Sequence, residues 1–152
     1  MNIEHLSNHL AFNKIFSACK KDNGKIDWLK IVYYDNLPVE FIDQYFLKLK
    51  SFGIEKTQKL DTYILNKYKY QLNWYSVIKY QNLSEEIIIQ NEDIFERLNL
   101  WELLFKFQTL SLKFLVNHLN LIKEKDLKKS ILSNLKIKKD DKITLCSLLS
   151  NL

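Results

Sequence analysis

One string returns three times in this chain, and it limits the fold more than any other feature. DWLKIVYYDNLPVEFI occupies residues 27–42, NWYSVIKYQNLSEEII residues 73–88 and LWELLFKFQTLSLKFL residues 100–115. Aligned on Trp28, Trp74 and Trp101, each copy has Asp35, Gln81 or Gln108 seven residues on, then Leu37, Leu83 or Leu110 two further. A helix-starting residue follows (Pro38, Ser84 or Ser111), and then an apolar pair (Phe41 and Ile42, Ile87 and Ile88, Phe114 and Leu115). The first two copies are 46 residues apart, twice 23, and a degraded copy fills the gap. There Gln58, Leu60, Asp61, Ile64 and Leu65 keep the register, with Ser51 at the tryptophan position. Starts therefore fall 23, 23 and 27 residues apart. Self-similarity at such a period marks units that cannot bury their apolar faces alone and must stack.

Each unit reads as two short helices. The first starts at the tryptophan, with Asp27 and Asn73 as N-caps and an apolar stripe at i, i+3 and i+6: Trp28/Ile31/Tyr34, Trp74/Val77/Tyr80, Trp101/Leu104/Phe107. The second starts at Asp61, Ser84 or Ser111 as N-cap, or with Pro38 in the first helical position, where its missing N–H costs nothing. Glu85 and Glu86 fall in a first turn, where the helix dipole favours acids. Helices of eight or nine residues are marginal alone. The expected fold is therefore all-α: an α-solenoid-like stack of short helix–turn–helix repeats, period about 23–27, in one domain over 1–152. Residues 1–25 would form an N-terminal cap, 26–118 four repeats, and 119–152 a basic C-terminal cap of two helices, with a weak fifth copy at Lys125–Leu132.

Composition agrees. Two glycines and one proline are too few for the turns of a sheet protein, and 47% hydrophobic residues exclude a disordered chain. No run of about 18 apolar residues offers a membrane helix, and the first residues lack a basic segment leading into an apolar one. Cys19 and Cys146 read as unpaired thiols of a reducing, cytoplasmic setting. The net charge of +5 is patterned: six acids and one arginine over 84–102, eight lysines and four acids from Leu121 onward.

The pattern W-x2-[IV]-x2-[YF]-Q-x-L-[SP]-x2-[FI]-[IL] resembles the tandem short helical repeats of phages, large DNA viruses and low-GC bacteria, over about residues 26–117. The resemblance implies an architecture, and by analogy a phage or viral protein that inhibits a host defence factor in the host cytoplasm, in the manner of an anti-CRISPR.

The chain carries no motif for a cofactor, metal or catalytic nucleophile. His5 and His9 share one helix face but lack the glutamate of a zinc-protease motif. Gly24 and Gly53 are isolated, so no phosphate loop exists, and neither cysteine has a local partner. The column Asp35, Gln58, Gln81 and Gln108 is read as turn residues bonding nearby backbone, and the tryptophans as core.

Candidate contacts lie outward. Tyr33, Lys56, Lys79 and Lys106 precede that column by two residues; Glu40, Tyr63, Glu86 and Lys113 follow it by five. The first set would present lysines roughly 10 Å apart in a stack. The acids Glu85, Glu92, Asp93 and Glu96 offer a nucleic-acid-like surface. The expected function is a non-enzymatic protein-binding scaffold whose partner is a host protein. The alternative is a nucleic-acid binder using the lysine ladder and the C-terminal lysines. Self-association through the apolar ends of a stack is a third reading, and no membrane is expected.

Overall fold

The computed structural model describes residues 3–124 and 126–150, with side chains from 9 to 122 and from 126 to 150. Among these, thirteen helices form and no strand; Lys20 and Ile26 pair in one isolated bridge. No described helix is long and apolar enough to cross a membrane. The chain divides into two compact units, one ending at Asn73 and the other starting at Trp74.

The first unit holds α1 (Ile3–Ala18), α2 (Trp28–Val32), α3 (Val39–Lys50), α4 (Ile54–Thr57) and α5 (Thr62–Lys67). The second holds α6 (Trp74–Tyr80), α7 (Glu85–Gln90), α8 (Glu92–Arg97), α9 (Trp101–Phe107), α10 (Leu112–Asn117), α11 (Leu119–Glu124), α12 (Lys128–Ser133) and α13 (Lys139–Ser150).

All three tryptophans open their helices, as the string requires. The caps are side chains acting on local backbone. Asp27 Oδ1 accepts the Lys30 N–H, Asp61 Oδ1 that of Ile64, Ser84 Oγ that of Ile87 and Ser111 Oγ that of Phe114. Pro38 departs from expectation. With ψ 146° it stands at the cap, outside the first turn. Ser51 cannot do a tryptophan's work; it is exposed and its hydroxyl donates to Lys48 O, and α4 shrinks to one turn.

The buried face of each first helix also differs from the i, i+6 stripe. Ile31 and Val32, Val77 and Ile78, and Leu104 and Phe105 are buried, whereas Tyr80 is 51% exposed and Phe107 only half-buried. At 3.6 residues per turn, position i+6 lies about 120° round from the tryptophan, while i+3, i+4 and i+7 stay on its side. That is why the glutamine, at i+7, points inward.

The second helices are bent. Tyr45 (φ −113°, ψ 18°), Tyr68 (−107°, 17°), Asn91 (−124°, 19°) and His118 (−108°, 18°) share one non-helical conformation at the same repeat register. Asn91 Nδ2 donates to Ile87 O, and His118 Nδ1 lies 2.7 Å from Phe114 O, each side chain bonding to the turn before it. The bend splits α7 from α8 and α10 from α11. Residues 119–150 accordingly hold three helices rather than a pair.

In the first unit an aromatic cluster of Phe12, Phe16, Trp28, Phe41 and Tyr45 joins α1 to α2 and α3. In the second, Phe95 meets Trp74 at 5.2 Å and Trp101 at 5.9 Å between ring centroids, both edge-on. Edge-to-face contact at such spacing is the favoured arrangement of aromatic quadrupoles.

Candidate functional site

Two glutamines of the column, one in each compact unit, bond the turn of the repeat before their own. Gln58 Nε2 donates to Val32 O at 2.9 Å and Tyr34 O at 2.7 Å, and its Oε1 accepts the Leu37 N–H. Gln108 treats the turn after α6 in the same way: Nε2 donates to Ile78 O and Gln81 O, and Oε1 accepts the Leu83 N–H at 2.8 Å. Gln81 is buried in the same register, and Asp35, the first of the column, is exposed. Turn backbone leaves the helical hydrogen-bond scheme, and once buried it needs partners. A primary amide carries the donor and the acceptor that this turn lacks.

The same bonding extends beyond the glutamines. Asn134, fully buried, donates from Nδ2 to Phe105 O at 2.8 Å and Gln108 O at 2.7 Å. In the helix before it, Leu127, Ser130 and Ile131 are buried where Trp101, Leu104 and Phe105 are in α9. Lys125 lies outside the described residues; over residues 126–132 the weak fifth copy thus takes the burial pattern of α9. Its own turn is closed by Lys142 of α13, whose ammonium donates to Leu132 O at 3.0 Å and to Asn134 O.

The outward columns stay outward. Tyr33, Lys56, Lys79 and Lys106 are exposed, and none of these lysines is ion-paired among the described residues. Lys79 and Lys106 lie over their neighbours Tyr80 and Phe107, 5.6 and 5.7 Å from the ring centroids. Of the second column, Glu40 and Lys113 are exposed, Glu86 accepts from Gln90 Nε2, and Tyr63 donates its hydroxyl to Asp43.

The acidic stretch is largely engaged with its own chain. Glu85 accepts the Ser111 N–H at 2.6 Å and its hydroxyl at 3.2 Å. Glu92 faces His118 Nε2 at 3.2 Å, and Glu96 accepts the indole N–H of Trp101 at 2.8 Å. Asp93 is exposed.

A polar cluster that the repeat pattern does not announce sits on the first unit. Lys67 Nζ meets the two Asp43 oxygens at 2.7 and 2.8 Å and Tyr63 Oη at 2.9 Å; Tyr68 donates to Asp43 Oδ1 at 2.9 Å and to its backbone O at 3.0 Å. The Lys67 hydrogen bond, helped by Tyr68 and against partial desolvation, holds the Asp43 carboxyl below its ordinary range. Asp43 in turn raises Lys67, and burial raises Tyr68. The i, i+4 spacing of Tyr63 and Lys67 was the available signal; the Asp43 partner, 24 residues from Lys67, was not. The geometry is that of a clamp between two repeats, with every oxygen of the carboxylate already bonded.

The other reactive side chains are dispersed. Cys19 is fully buried, which pushes its thiol up, and Cys146 is half-buried. The side chain of His5 lies outside the described residues; His9 is exposed beside Asn13, and His118 packs on Phe114. No protein-family model, curated protein or solved structure matches this chain.

Proposed function

We propose that this chain is a non-enzymatic protein-binding scaffold whose repeats stack as an α-solenoid. One observation carries the reading. The residues that recur, tryptophan and glutamine, are spent inside the fold: Trp74 and Trp101 are buried core, and Gln58 and Gln108 close turns. The outward column of Glu40, Tyr63, Glu86 and Lys113 is mixed in charge and type, while the column of Tyr33, Lys56, Lys79 and Lys106 is lysine in three of its four positions. A constant interior beneath a varied surface is the economy of proteins whose work is done by contact. The resemblance to phage and viral repeats adds a host defence factor as the partner and inhibition as the result.

The test is affinity capture from cell lysate with and without nuclease, followed by titration of the purified candidate. A single protein that survives nuclease and binds stoichiometrically, with little loss between 50 and 300 mM salt, supports the scaffold. Capture that disappears with nuclease, and an affinity for oligonucleotides that falls steeply with salt, would transfer the function to Lys56, Lys79 and Lys106.

A further inference from the structure

The first unit shows solvent three large apolar side chains on two successive repeats. Leu29 (54% exposed) and Tyr33 (71%) sit one turn apart along α2 and its C-cap. Phe52 (38%) stands at the position of Leu29 in the next repeat, and Gln58 of that repeat is bonded to the turn after α2. Lys48 joins the two: its Nζ is 6.0 Å from the Trp28 ring centroid and 5.8 Å from that of Phe52. Around these side chains stand Lys30, Lys48 and Lys56, all exposed and none ion-paired among the described residues. Of the acids on α2 and its turn, Asp27 caps the helix through the Lys30 N–H, and Asp35 alone is exposed. Single exposed apolar residues are ordinary; a group of them rimmed by one sign of charge marks a contact surface.

From this arrangement we infer that the face of Leu29, Tyr33 and Phe52 docks an acidic amphipathic segment of another protein, its apolar side chains on these three residues and its carboxylates on Lys30, Lys48 and Lys56. The inference rests on the scaffold reading and gives it a surface and a partner chemistry. A second copy is a poor occupant, because a two-fold contact through this face would set the three lysines against themselves. A nucleic acid is the competing occupant, because Tyr33 and Phe52 offer rings beside the lysines, and an oligonucleotide titration separates the two.

The probe is a random 16-residue peptide library displayed against the immobilised full chain, with the enriched sequences resynthesised and titrated by fluorescence anisotropy. The expected pool combines Asp and Glu with Leu, Phe or Trp. Affinity should fall at least about tenfold in the double variant Leu29→Ser/Tyr33→Ser and similarly in Lys30→Glu/Lys56→Glu, but stay level in Lys79→Glu/Lys106→Glu. All these positions are exposed, and circular dichroism checks that each variant keeps its helices. Enriched peptides without acids, or peptides indifferent to Leu29→Ser/Tyr33→Ser, overturn the face while leaving the scaffold reading standing. No enrichment over bare support counts against both. An oligo-dT 20-mer that binds and is lost with the same substitutions overturns the peptide partner in favour of nucleic acid.

Discussion

Gln108 takes hold of Leu83 across twenty-five residues: its side-chain oxygen accepts the buried Leu83 N–H at 2.8 Å while its amide nitrogen serves two carbonyls of the same turn. Replacing Gln108 by Ala strands one donor and two acceptors in the interior. The expected loss is roughly 2–5 kcal/mol of unfolding free energy. Gln71→Ala, at an exposed glutamine, should change stability by about 0.5 kcal/mol or less. Urea titration compares the two, and equal effects would remove this bonding from the stability of the fold.

Trp101→Ala should cost about 3–5 kcal/mol, since it leaves a large cavity beside Phe95 and Phe105 and removes the donor to Glu96. Trp28→Ala should cost clearly less, because Trp28 is only half-buried. Thermal and urea midpoints of the two variants give the ranking.

The helix starts were legible in the sequence because their determinants are local. A serine or aspartate three residues before its N–H partner caps a helix wherever it occurs, so Ser84, Ser111 and Asp61 could be placed without any tertiary knowledge. A tryptophan seven residues before a glutamine fixes both on one side of a helix. The rest depends on partners in the next repeat. Asn134 falls 26 residues after Gln108, not 23 or 27, and a shorter amide serves where glutamine did. The bends at Tyr45, Tyr68, Asn91 and His118 recur in position while the residue passes from tyrosine to asparagine to histidine, so no single motif records them. Asp43 became a site only through a lysine and two tyrosines one repeat away.

Acid should act on the Asp43 clamp in a predictable sense. The folded state depresses this carboxyl, so its stabilisation is present above the unfolded value of about 4 and is lost as pH falls through the lower folded value. The wild-type melting temperature should exceed that of Asp43→Asn at pH 7, and the gap should close toward pH 3. The gap is modest because the pair is partly solvated. A gap that stays constant across that range would show that the carboxylate contributes no charge-dependent stability.

Thiol labelling should separate the two cysteines. Cys19 is buried and its thiol is raised by desolvation, whereas Cys146 is reachable. One equivalent should react with a disulfide reagent at once. The second should react about a hundredfold more slowly or only after unfolding. The variant Cys146→Ser should lose the fast phase; a surviving fast phase would mean that the α1–α2 connection opens readily.

Lys142 gives the turn after α12 a property that the turns held by Gln58, Gln108 and Asn134 lack. Gln58, Gln108 and Asn134 each reach back to a turn of the repeat before their own, whereas Lys142 closes the turn of the repeat to which it belongs. The carbonyls of that turn are therefore already occupied, and by a charged donor. An amide offered to them would have to evict an ammonium first, so this turn is held by a group whose hold is electrostatic as well as directional.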